Sequence, residues 1–214
     1  MQTPILAIYG DSISTDSYPG GGWPSRLCAQ LSIETRYNHA ISASGLSATT
    51  PNNTITKVEQ PDWQHPDANI ALIWHGTNDW YWGAPVGTPG NCDPNTYAGA
   101  IERMIGTLRR INPEVKIVWM TPIFRHQPPF EVVPNRCGEA WNTPNRIGAT
   151  MRDYVEVLEQ QSRRLCFPLI DLRTLTGFGE ENKHLYYRDI AHPSDVGFDR
   201  ITDLIARHLR LWYL

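Results

Sequence analysis

The chain has 214 residues, 19 basic and 22 acidic side chains, and a formal net charge of −3. That balance supplies no basic face for nucleic acid or an anionic membrane, and no apolar run is long enough to span a bilayer. The length suits one domain with a substantial core, taken as residues 1–214.

In chain order, Met1-Gln2-Thr3-Pro4 passes directly into an apolar run, Ile5–Tyr9, the first expected strand. No signal peptide precedes it, which points to a cytoplasmic location unless a signal was removed. Gly10-Asp11-Ser12-Ile13 then sits where the chain must turn out of the sheet. Trp23 to Leu31 has a helical pattern, and Thr35–Ala40, Asn69–Trp74, Val115–Met120 and Phe167–Leu172 are strand-like. Between them, Tyr97, Ile101, Met104, Ile105, Leu108 and Ile111 keep a spacing of three to four, as do Ile147, Met151, Tyr154, Val155, Leu158 and Leu165. Asn95, and Thr143 or Asn145, are expected N-caps for these two helices. A last helix carries Phe198, Ile201, Leu204, Ile205 and Leu209. The connection Pro51–Gln60 is only weakly helical.

Continuous apolar strands alternating with helices predict an α/β fold, a parallel sheet between two helical layers. Four cysteines form no zinc spacing. Cys28 and Cys166 read as small buried hydrophobes. Cys92 and Cys137 lie in Gly/Pro/Asn-rich loops expected on one face, and a bridge between them would imply an oxidising, extracytoplasmic compartment; the pairing stays open at this level.

Ligands of open parallel sheets bind at the carboxyl ends of the strands. Four unusual segments each follow a different predicted strand and so converge there: Gly10-Asp11-Ser12, Ile41-Ser42-Ala43-Ser44-Gly45, His75-Gly76-Thr77-Asn78-Asp79 and Asp189-Ile190-Ala191-His192-Pro193. A serine needs a base to become nucleophilic at neutral pH. An imidazole accepts and returns a proton in that range, and it needs a partner on its other nitrogen. Ser12, His192 and Asp189 supply these three groups. A tetrahedral oxyanion needs donors aimed at it; Gly45, Asn78 and the Ser12 amide are the candidates. Taken singly, each of these residues also fits an ordinary turn or cap. Asp11 and Asp79 read as acceptors that organise loops, and His75 as a strand-end histidine.

Together the four segments resemble the SGNH hydrolase superfamily, also called the GDSL esterase/lipase family. Gly10-Asp11-Ser12-Ile13 is similar to its first block with Ile13 in place of Leu, Gly45 stands for the second, Gly76-Thr77-Asn78-Asp79 for the third, and Asp189-x-x-His192-Pro193 for the last. The resemblance runs from Ile5 to about Arg200. It implies a flavodoxin-like, five-stranded sheet of order 2-1-3-4-5 and ester hydrolysis through an acyl-enzyme, with no metal and no cofactor. There is no Gly-x-Ser-x-Gly elbow and no His-x-x-x-His pair.

Trp80, Tyr81, Trp82 and Arg125 are expected to rim the pocket, with Trp23, His126, Phe130 and Trp141 as further loop aromatics or polar groups. Loops rich in Trp, Tyr, Asn and Gly suit a small or saccharide ester better than a long acyl chain. Three other readings remain: a lipid or thioester acylhydrolase using the same residues, a metal-dependent phosphatase, and a flavodoxin-like binding module without catalysis. Oligomeric state is not specified.

Overall fold

The computed structural model describes residues 4–125 and 139–214. Five strands, β1 (Ile5–Gly10), β2 (Thr35–Asn38), β3 (Ile70–Trp74), β4 (Lys116–Met120) and β5 (Leu169–Ile170), form one sheet of order β2-β1-β3-β4-β5. Every neighbouring pair is parallel, with Leu6 opposite Arg36 on one side and Ile70 on the other. This is the order implied by the resemblance.

Alternation along β1 shows how the sheet is covered. Leu6 and Ile8 face one core, with Trp23 and Leu27 of α1 (Trp23–Leu31) and Phe198, Ile201 and Ile205 of α7 (Asp195–Trp212). Ala7 and Tyr9 face the other, with Ile101 and Met104 of α3 (Tyr97–Ile111) and Tyr154 and Leu158 of α4 (Met151–Leu165). β3 is buried along its whole length, as a strand covered on both faces must be.

The expected elements differ from the observed ones mainly at their ends. α3 is capped by Thr96, whose hydroxyl accepts the Gly99 N–H at 3.1 Å, one residue after Asn95. The cap of α4 is Thr150, whose N–H and hydroxyl both donate to the Asp153 carboxylate. Asn145 instead organises the preceding turn, accepting from the N–H groups of Ile147 and Ala149 and donating to the Trp80 carbonyl. Ile147 is therefore an exposed turn residue. β5 is cut to two residues because Leu172 opens a short helix, α5 (Leu172–Leu175). Two more short helices, α2 (Thr77–Trp82) and α6 (Lys183–Tyr186), lie in stretches expected to be loop.

Cys28 is buried as expected, whereas Cys166 is exposed. Cys166 is the left-handed C-cap of α4 (φ +54°). Cys137, His126 and Phe130 lie outside the described residues, and with them the Cys92–Cys137 pairing that the sequence left open. Among the described residues, no helix is long and apolar enough to cross a membrane, and no cluster of three or more His, Cys, Asp or Glu could hold a metal ion.

Candidate active site

At the carboxyl end of β1 the chain closes into a single 3-10 turn, Ser12–Ser14. The Asp11 carboxylate caps it, accepting the Ile13 N–H at 2.9 Å. Burial pushes the Asp11 carboxyl up to about 7, against that hydrogen bond and the nearby Arg125 charge. Ser12 is thereby held half-buried on the rim, and its carbonyl accepts the Tyr18 hydroxyl proton at 2.7 Å.

The other side of the site is the turn before α7. An isolated antiparallel bridge between Tyr187 and Pro193 closes it. Within the turn the Arg188 N–H donates to the His192 carbonyl at 3.0 Å, and Arg188 Nε to that of Pro193 at 2.8 Å. Asp189 Oδ1 accepts the N–H groups of Ala191 and His192 at 2.8 and 2.7 Å, and Oδ2 lies 2.8 Å from His192 Nδ1. Partial burial works against ionisation of Asp189, but these hydrogen bonds outweigh it and hold the carboxyl below its usual range. An ionised carboxylate only accepts, so Nδ1 carries the proton and Nε2 presents its lone pair. That nitrogen is 2.8 Å from Ser12 Oγ, across 180 residues of sequence.

Ser12, Tyr18, Asp189 and His192 open onto one cavity of about 470 Å³. Asn78 lines it from α2, buried, with Nδ2 donating one hydrogen to the Ser44 carbonyl at 3.0 Å and keeping a second. Gly45 does not line the cavity. A Cβ at this position would lie 2.6 Å from Thr50 Oγ1, so the glycine answers to packing beneath the loop. Ala43 lines the cavity instead, with φ +62°. In the left-handed region an L-residue is strained, and Trp82 helps hold it by donating Nε1–H to the Ala43 carbonyl at 3.0 Å. Among the described residues no acceptor meets the N–H of Ala43 or of Ser12.

Of the aromatic residues expected at the rim, Tyr81 and Trp82 line the cavity, as does Arg125. Trp80 does not. It is fully buried and donates Nε1–H to the Thr143 carbonyl at 3.2 Å, because the helical turn of α2 rotates it inward, away from its neighbours. Trp23 is likewise a core anchor, bonded to Ser14 Oγ. Tyr18 was not foreseen. Its ring lies 6.2 Å from the His192 ring, and the Arg188 guanidinium covers it at 4.7 Å. Its only sequence signal is a position six residues after the serine.

Asp79 and His75 take the structural places expected of them, although His75 Nδ1 is buried without a partner among the described residues. Asp79 is buried and accepts the N–H groups of Leu46 and Ser47. His75 is buried under the site, with Nε2 2.8 Å from Thr54 Oγ1, and burial lowers its pKa to about 3.

The family model of the GDSL-like lipase/acylhydrolases matches residues 8–200, a span that contains all four converging segments. The chain belongs to that family. No curated protein matches it in sequence. A Lactobacillus plantarum protein of known structure superposes with a TM-score of 0.83 over 100% of both chains, at 21% identity. A possible lipase from Chitinophaga pinensis gives 0.73 at 21% identity, over 97% of this chain and 98% of its own. The lipase/acylhydrolase from Enterococcus faecalis gives 0.65 at 17% identity, over 97% and 95%. At these identities the likeness shows a shared fold, and the chemistry of this chain has to be argued from its own residues.

Proposed function

We propose that this acylhydrolase-family chain is a serine esterase acting on small acyl esters, acetyl groups on a saccharide among them. The observation that carries the reading is the aligned relay from Ser12 Oγ to His192 Nε2 and from His192 Nδ1 to Asp189 Oδ2, each 2.8 Å long. Ser12 Oγ attacks the ester carbonyl while its proton passes to Nε2. The oxyanion meets the N–H groups of Ser12 and Ala43 and the free amide hydrogen of Asn78. Collapse breaks the acyl–oxygen bond, and the departing alcohol takes the proton from Nε2. Water, deprotonated by the same nitrogen, then attacks the acyl-enzyme and releases the acid, returning the proton to Ser12. Asp189 stays ionised throughout and favours the imidazolium.

The cavity walls support a compact, polar substrate. Tyr18, Tyr81 and Trp82 present rings beside Thr77 and Asn78, while Ile13 and Ile190 contribute its larger aliphatic groups. Rings with polar neighbours suit a sugar face better than a long acyl chain. A fluorophosphonate probe tests the nucleophile: it should label the folded protein and fail to label Ser12→Ala. A p-nitrophenyl ester series tests the acyl preference, with acetate and butyrate expected to exceed decanoate. Faster cleavage of the long ester would replace this reading by a lipid acylhydrolase.

A further inference from the structure

Arg125 is not part of the relay, yet it stands in the wall of the same cavity. The chain brings it there from the end of β4, and its carbonyl is fixed by the Ala140 N–H at 3.2 Å. Its side chain is buried, with the residue only 7% exposed. The guanidinium stacks over the Tyr81 ring at 4.7 Å and sits 5.6 Å from that of Trp80. Among the described residues its guanidinium makes one hydrogen bond, Nη1–H to Thr77 Oγ1 at 3.3 Å, and Nε is a buried donor with no partner. Arg125 makes no ion pair with a carboxylate among the described residues. This is unlike Arg26, Arg36 and Arg173, each of which meets one directly.

A guanidinium keeps its proton at any ordinary pH, and a charge removed from water without a counter-ion is costly. Asp11 and Asp189 offset part of that charge through space, but neither pairs with the guanidinium: Asp11 caps Ile13, and Asp189 holds the His192 turn. The aromatic faces compensate only in part. The missing element is an anion, and the cavity is where one can enter.

We propose that the ester cleaved at Ser12 carries a carboxylate, and that Arg125 binds it. This deepens the esterase reading and rests on it. A carboxylate suits the site better than a phosphate dianion, because Asp11 and Asp189 repel a second negative charge. A carboxylate also matches the planar donor set of a guanidinium. Arg125 is then a specificity residue, separate from the machinery that moves protons.

Two matched pairs of esters test this. In 4-acetoxybenzoate and 4-acetoxybenzamide the charge is on the alcohol side. In 4-nitrophenyl hydrogen succinate and 4-nitrophenyl succinamate it is on the acyl side, with uncatalysed hydrolysis subtracted. Wild-type kcat/KM should favour the charged member at least tenfold in one pair, and Arg125→Gln should bring that ratio to within threefold of unity. Arg125→Lys, which keeps the charge and the stem, should retain part of the preference and covers a folding failure of the glutamine variant. A wild-type ratio below tenfold in both pairs, or a ratio that survives in Arg125→Gln, overturns the proposal. If none of the four esters is cleaved, it is the esterase reading that fails. Calorimetric binding of 4-acetoxybenzoate and 4-acetoxybenzamide to Ser12→Ala then decides Arg125: tenfold tighter binding of the carboxylate supports its role, and equal affinities end it.

Discussion

Asp79 accepts the N–H of Leu46 at 2.9 Å through Oδ2 and that of Ser47 at 2.9 Å through Oδ1, and so fastens the loop carrying Ala43 to the helix carrying Asn78. The strands β2 and β3 deliver these segments to the rim separately, on either side of β1, and nothing in the sheet fixes their mutual distance. The carboxylate does. It is fully buried, and desolvation, working against the hydrogen bonds it accepts, raises its pKa to about 6. Asp79→Ala leaves two buried N–H groups without acceptors, each worth about 1–3 kcal/mol. Chemical denaturation should show a loss of at least about 2 kcal/mol, with kcat falling as the Asn78 and Ala43 donors drift apart. Unchanged stability would mean that the loop is held elsewhere.

Gly45, expected to donate to the oxyanion, packs beneath the loop while Ala43 lines the cavity, and substitution tests which of the two serves as donor. A methyl group at position 45 meets Thr50 Oγ1 and Cγ2, and the Thr50 side chain cannot swing aside easily because its hydroxyl donates to the Ser47 carbonyl at 2.7 Å. Over-packing of this kind costs about 1–3 kcal/mol. Gly45→Ala should therefore lower Tm by several degrees, while kcat measured well below the melting range stays within about threefold. A large fall in kcat with an unchanged Tm would return Gly45 to the oxyanion site.

Sheet and layers were legible, as was the meeting of Ser12, Asp189 and His192 at one edge, because each follows from apolar runs and short motifs readable along the chain. Uninterrupted apolar runs such as Ile70–Trp74 report burial on both faces, and Asp189-x-x-His192 is compact enough to close within one turn. What stayed hidden depends on orientation. Trp80, Tyr81 and Trp82 are adjacent in sequence, and only the helical turn of α2 decides that the first faces the core and the other two the cavity. Ala43 carries no hint that its φ is positive. Arg125 was expected at the rim, but its lack of a carboxylate partner is a property of the assembled site. Tyr18 reaches the Ser12 carbonyl only because the chain folds back after the 3-10 turn.

His75 gives the stability of the fold a defined pH dependence. Burial holds its folded pKa near 3, whereas the unfolded imidazole protonates near pH 6.5. Between those values the unfolded chain binds the extra proton. The contribution of His75 is thus full above about pH 6.5 and is lost progressively as pH falls toward 3. The slope is about 1.4 kcal/mol per pH unit. Relative to His75→Gln, the wild type should lose about 2 kcal/mol of stability between pH 7 and pH 5. Urea unfolding of both proteins at the two pH values measures it; a wild-type-to-variant gap that is the same at both would show that His75 takes up a proton in the folded state.

Asn78 offers the sharpest separation of transition-state binding from substrate binding. One Nδ2 hydrogen is fixed on the Ser44 carbonyl, which leaves the other for the cavity that Ser12 also lines. A ground-state carbonyl oxygen accepts weakly there. The oxyanion accepts strongly, so the interaction belongs mainly to the barrier. Asn78→Ala should lower kcat by roughly 10²–10³ with little change in KM, as expected for one lost oxyanion donor. Asn78→Asp should be worse, because a carboxylate in that position repels the developing charge. Both variants should still react with the fluorophosphonate probe more slowly than wild type, confirming a folded site. A kcat effect below threefold in the alanine variant would remove Asn78 from the oxyanion site and leave the two backbone N–H groups to stabilise the intermediate alone.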